Sequence, residues 1–95
     1  MAHANLEIPA TLAPLWGRQR RAVIEYDAGT RLEGFLDLAG QGHPRFARRL
    51  RDETGAIRRY VNVFIDGENV RVLEGLDTVV PDGANVLIIQ SVAGG

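Results

Sequence analysis

Tyr60-Val61-Asn62-Val63-Phe64-Ile65-Asp66-Gly67 is the stretch on which the reading of this chain turns. Most of its positions are β-branched or aromatic, which suits a pleated strand, and Asp-Gly is a strong tight-hairpin dipeptide. Alternation puts Val61, Val63 and Ile65 on one face and Tyr60, Asn62 and Phe64 on the other. Reading toward the C-terminus, Val70 and Val72 are expected to form a short returning strand. Leu73 to Val80 then crosses irregularly to the turn Pro81-Asp82-Gly83-Ala84. Asn85 to Gln90, built on the apolar run Val86-Leu87-Ile88-Ile89, reads as a buried last strand. Beyond it stand only Ser91-Val92-Ala93-Gly94-Gly95.

Reading toward the N-terminus, Asp52-Glu53-Thr54-Gly55 is a turn, and Pro44 suits the first position of a short helix. Phe46 and Leu50, four apart, face the core from that helix, while Arg45, Arg48, Arg49 and Arg51 point mostly outward. With Arg58 and Arg59 these arginines make a basic surface; a solvated helix face is the favoured reading and a docking site the alternative. A main helix precedes them. Thr30 and Glu33 match a capping box. Leu32, Phe35, Leu36 and Ala39 repeat at three-and-four spacing, and Gly40 stands where a left-handed cap is expected. Ala22 to Tyr26 is a second strand closed by Asp27-Ala28-Gly29. Trp16 reads as a half-buried lid over the core edge, beside a loop bracketed by Pro9 and Pro14. Asn5 to Ile8 is the first strand, with Leu6 and Ile8 on one face. The order implies an α+β fold: a mixed sheet of about four to five strands packed on one main helix, with the first and last strands adjacent at its centre. Residues 1–90 form the domain and 91–95 a flexible tail.

Composition narrows the function. At 95 residues the chain has room for one modest core. No apolar run spans a membrane and Met1-Ala2-His3-Ala4-Asn5 lacks a signal-peptide pattern, so a cytoplasmic location without membrane association is expected. There is no cysteine, which removes disulfides, thiolate metal sites and a cysteine nucleophile together. His3 and His43 lack ligand spacing, so no metal site is expected. All eleven basic residues are arginine. The chain therefore offers no lysine amine as an isopeptide acceptor. Residues 1–59 carry ten arginines against seven acids, and residues 60–95 one against five, a split of +3 and −4. A near-zero total argues against a nucleic-acid binder. No nucleophile–base pair appears, so the chain does not read as an independent enzyme.

The segment from Ala56 to Arg71, followed by Gly75-Leu76-Asp77-Thr78, Pro81-Asp82-Gly83, Val86-x-Ile88 and Val92-Ala93-Gly94-Gly95, resembles the ubiquitin-like β-grasp sulfur carriers. That group includes the thiamine sulfur carrier, the small subunit of molybdopterin synthase and the CysO-type carriers of cysteine biosynthesis. His43-Pro44 before the arginine-rich helix is similar to the longer, CysO-type members. Gln90 departs from the pattern, since many members carry proline there.

The resemblance implies a protein co-substrate whose working group is the Gly95 carboxylate. An E1-like enzyme would use ATP and magnesium to adenylate it, and a sulfur donor would convert it to a thiocarboxylate; the carrier itself binds no cofactor. Val92, Ala93 and Gly94 would thread the partner's channel, where a β-carbon at 94 or 95 would crowd the reacting centre. A sulfur-accepting biosynthetic enzyme would follow, with a PLP-dependent cysteine synthase and a zinc metalloprotease as expected partners of the CysO type. Strand alternation adds a docking surface: Phe64, Leu87 and Ile89, with Tyr60, form an apolar patch on the outer sheet face. Glu68, Glu74 and Asp82 are the expected rim contacts. Two alternatives keep the same tail: a protein modifier conjugated through Gly95, and a small subunit whose tail inserts permanently into a catalytic partner.

Overall fold

Five strands and two helices follow one another as β1 (Ala2–Glu7), β2 (Arg21–Tyr26), α1 (Leu32–Gly40), α2 (Pro44–Leu50), β3 (Val61–Ile65), β4 (Glu68–Asn69) and β5 (Asn85–Gln90). They come from a computed structural model that describes residues 1–91. The strands join in one sheet of order β2-β1-β5-β3-β4. β1 and β5 run parallel at the centre, and every other neighbouring pair is antiparallel. The expected mixed sheet and the central pairing of first and last strands are both present.

β3 has the predicted faces, with Val61, Val63 and Ile65 buried and Asn62 and Phe64 only partly covered. Its hairpin turn takes both central residues to positive φ, 49° at Asp66 and 87° at Gly67. Positive φ at both positions is the mark of the type I′ turn, whose twist matches the strands it joins. The turn also anchors β5: the Asp66 N–H donates to the Asn85 carbonyl at 2.9 Å, and the Asp66 carboxylate accepts the Asn85 N–H at 2.9 Å. β1 begins at Ala2, three residues earlier than Asn5, because the alternation of Ala2, Ala4 and Leu6 is buried against the core. Its end follows from Pro9. The parallel register, with Asn5 N–H donating to the Ala84 carbonyl, makes residue 9 the donor to β5 after residue 7, and proline has no N–H.

The core lies between the sheet and the two helices. Leu32, Phe35, Leu36 and Ala39 of α1, and Phe46 and Leu50 of α2, share one buried cluster with Leu6, Ile8, Val61, Val63 and Ile88. Phe35 meets Tyr26 edge-on at 5.4 Å, a preferred aromatic geometry. Trp16 is a core residue, 2% exposed, and the expectation of a half-buried lid is corrected. It stacks on Phe46 with centroids 5.5 Å apart, and its indole N–H donates to the Ala39 carbonyl at 2.9 Å. One side chain thus joins the β1–β2 loop to both helices.

Four other expectations are corrected by tertiary contacts. The capping box does not form: the Thr30 hydroxyl donates to the Asp27 carbonyl, and the Leu32 N–H donates instead to the Thr78 carbonyl at 2.7 Å. Gly40 ends α1 without positive φ, and Gly42, at 80°, makes the left-handed turn. A Cβ on Gly40 would stand 3.1 Å from the Ala47 Cβ, so this glycine serves the close approach of α1 and α2. Val70 and Val72 do not extend β4. They lie in a 3-10 turn, because the Asn69 side chain accepts the Arg71 N–H at 2.9 Å and bends the backbone out of the ladder. Arg51 turns inward: its side chain is 17% exposed and pairs with Asp37 at 2.7 Å and Glu33 at 3.4 Å, both on α1.

Candidate functional site: the exit of the last strand

β5 is held on both sides, by β1 along its first half and by β3 along nearly all of it. The β3 register, Val61 opposite Gln90 through Ile65 opposite Val86, brings the chain out of the sheet at one fixed point. Ser91 is secured there, its N–H donating to the Tyr60 carbonyl at 2.8 Å. That bond makes 91–60 a hydrogen-bonded pair, and with it the alternate pairs 89–62 and 87–64. Gln90 then belongs to a non-bonded pair, with its N–H turned away from β3. A proline at this position would remove no β3 bond, so glutamine leaves the exit direction set by Ser91 and Tyr60. Val92, Ala93, Gly94 and Gly95 lie outside the described residues.

Arg71 fixes the segment that supports this exit. Its guanidinium donates to the carbonyls of Val61 at 2.6 Å and Arg58 at 3.1 Å, and to the Asn62 side chain at 3.3 Å. Asn69 donates to the same Asn62 oxygen at 3.1 Å. Neither role has a signal in the sequence, since each depends on where the 3-10 turn after β4 falls.

On the outer sheet face Phe64 stands opposite Leu87, and Ile89 stands opposite Asn62. Phe64, Leu87 and Tyr60 are half-buried, and Ile89 is 41% exposed. Toward β2 the same face continues as a concavity of about 500 Å³, with Asn5, Glu7, Arg21, Val23 and Leu87 in its lining. Two of the acids expected to rim the patch, Glu68 and Asp82, stand toward the start of β5, at the Phe64–Leu87 end of the patch. Glu68 pairs with Ile65, which pairs with Val86 at the start of β5, and Asp82 accepts the His3 N–H before β5 begins. A six-residue strand spans roughly 17 Å from first Cα to last, so both acids sit at the far end of β5 from Ser91. Among the described residues no group of three or more metal-ligating side chains comes together, and no helix is long and apolar enough to cross a membrane.

A mixed sheet with parallel central first and last strands, grasping one main helix, defines the ubiquitin-like β-grasp class. The sequence matches the ThiS family over residues 6–95, and the chain belongs to that family. It is 30% identical to the sulfur carrier protein CysO of Mycobacterium tuberculosis, covering 98% of this chain and 99% of the relative. A chain of the Amycolatopsis orientalis BexX/CysO complex superposes with a TM-score of 0.84 at 28% identity, covering 97% of this chain and 99% of that one. The fold is shared by the small archaeal modifier protein 1 of Haloferax volcanii, with a TM-score of 0.83 at 23% identity, covering 97% of this chain and all of that one.

Proposed function

We propose that this protein is a sulfur carrier that works through the carboxylate of Gly95. The observation that carries the reading is the ThiS-family match, which continues past the described end of β5 to residue 95. The near full-length similarity to CysO supports the CysO type within the family, with cysteine biosynthesis as the pathway.

The chemistry is done by partners. A carboxylate is a poor electrophile, so an E1-like adenylating enzyme would first use ATP. A Gly95 oxygen attacks the α-phosphorus and expels pyrophosphate, leaving an acyl-adenylate. Sulfide from a donor then attacks the acyl carbon and expels AMP, and the thioacid loses its proton to leave a thiocarboxylate. The carrier holds sulfur as a covalent nucleophile and has no cysteine to compete for it. A sulfur-accepting biosynthetic enzyme receives it, and in the CysO reading that enzyme is a PLP-dependent cysteine synthase.

What this chain contributes is placement. The Tyr60–Ser91 bond sets where the last residues leave, and Phe64, Leu87 and Ile89 offer apolar area beside that point. The glycines at 94 and 95 present no side chain to a narrow channel. Gly95→Ala is expected to slow adenylation at least tenfold, a loss of about 1.4 kcal/mol in transition-state stabilisation, and deletion of Gly95 to abolish it. ATP–pyrophosphate exchange with the adenylating enzyme measures both. Full activity in the deletion variant would refute the assignment.

A further inference from the structure

Four arginines gather next to the point where the chain leaves the sheet. Arg45, Arg48 and Arg49 of α2 and Arg58 of the α2–β3 connection line a cleft of about 430 Å³ together with Tyr60. Tyr60 is the residue whose carbonyl accepts the Ser91 N–H. The fold closes one side of this arrangement firmly. Arg58 donates from Nε to the Arg48 carbonyl at 2.8 Å, and its N–H donates to the Leu50 carbonyl at 2.9 Å, pinning the connection to α2. Among the described residues Arg21 and Arg51 make ion pairs with carboxylates, and these four make none. Asp52, whose charge acts on Arg58, spends one carboxylate oxygen on Thr54 and Ala56.

Geometry then limits what can face the cleft. In the sulfur-carrier reading, on which this inference rests, four residues separate Ser91 from the end of Gly95. Fully extended they reach about 14 Å. Any enzyme acting on the Gly95 carboxylate must bring the mouth of its active site that close to Ser91, whose hydrogen-bond partner Tyr60 lines the arginine cleft. A neutral or basic mouth would desolvate guanidiniums with nothing to compensate them. Carboxylates match the guanidinium fork in pairs, charge for charge.

We infer that the Arg45–Arg48–Arg49–Arg58 cleft is a docking site for an acidic rim around the active-site mouth of the enzyme that processes the tail. The arginine-rich segment is then a functional surface, in addition to being a solvated helix face. The apolar patch and the basic cleft flank the exit, and together they orient the carrier so that Gly95 enters the channel.

The test uses Arg45→Glu/Arg48→Glu/Arg49→Glu, which spares Arg58 because of its bond to α2, with the corresponding triple Gln variant as a second protein should the Glu form fail to fold. With the adenylating enzyme, KM for the carrier should rise about tenfold or more at low salt while kcat stays within about twofold, and the gap should close as salt screens the contact. A KM equal to that of the unsubstituted protein overturns the inference. An unsubstituted carrier that is never adenylated instead refutes the sulfur-carrier reading, and a second arm still decides the charge question. In a heteronuclear NMR titration, hexaglutamate should shift the resonances of Arg45, Arg48, Arg49 and Tyr60 saturably and in a salt-dependent way, and the shift at Tyr60 should be smaller in the triple variant. The absence of those shifts, saturable binding of inorganic phosphate at the same residues, or salt-sensitive self-association through the cleft would each overturn it.

Discussion

Asp52 shows how much a single exposed side chain can organise here. Its carboxylate accepts from the Thr54 hydroxyl at 2.6 Å, the Thr54 N–H at 2.8 Å and the Ala56 N–H at 3.2 Å, closing the turn that returns the chain from α2 toward β3. These bonds, the hydroxyl first, hold its pKa below the ordinary value of 3.8. A depressed folded pKa adds stability that is present above the unfolded value and lost as pH falls through the folded one. Asp52→Asn is therefore expected to be less stable than the unsubstituted protein at neutral pH, with the difference shrinking as pH drops below 3.8. Urea unfolding at neutral and acid pH checks this; a difference independent of pH would contradict it. Trp16 illustrates the opposite case, a residue whose position was not legible. Nothing local distinguishes a lid from a core residue, and its burial depends on Ala39 and Phe46, more than twenty residues away.

At the scale of elements, the strands were legible where the pattern admitted one backbone and the ends were not. Val61-x-Val63-x-Ile65 followed by Asp66-Gly67 states both a face and a turn, and the hairpin formed as read. The start of α1 departs from the capping-box expectation because the Leu32 N–H, which a local cap would serve, is satisfied by Thr78 from across the fold. The extension of β4 failed for a related reason: apolar alternation at Val70 and Val72 was outweighed by one Asn69 side-chain bond. Gly40 looked like a cap and is a packing residue. Gly40→Ala would gain roughly 0.5–1 kcal/mol in helix propensity, but it drives a Cβ to 3.1 Å from the Ala47 Cβ. Overpacking of that kind typically costs about 1–3 kcal/mol, so a net loss of about 1 kcal/mol is expected. Ala47→Gly should relieve it, giving a coupling of about 1 kcal/mol in a double-mutant cycle by chemical denaturation. Additive single effects would show that the two helices do not meet through this pair.

For the whole molecule, the fold acts as a mount for the exit of β5. The parallel β1–β5 pair buries the last strand at the centre of the sheet, so that it emerges at one place with Tyr60 beside it. On the outer faces of β3 and β5 Phe64 stands opposite Leu87 and Ile89 opposite Asn62, and these apolar residues are the patch proposed for docking. Its proposed role in docking predicts that Phe64→Ala and Ile89→Asp each weaken binding to the adenylating enzyme about tenfold or more by calorimetry, as truncation of an interface anchor does. Unchanged affinity in both would remove the patch from the interface. The basic cleft beside the exit was visible in sequence only as an arginine-rich helix. Its place next to Ser91 depends on how the α2–β3 connection folds back, which no spacing announces. In the proposed function all of these features serve one carboxylate. The most direct test is intact mass spectrometry of the full chain after incubation with the adenylating enzyme, ATP, magnesium and a sulfide source. The account predicts replacement of one oxygen by sulfur, located at Gly95 and absent when Gly95 is deleted. An unchanged mass with a competent enzyme, or sulfur on any other residue, would contradict it.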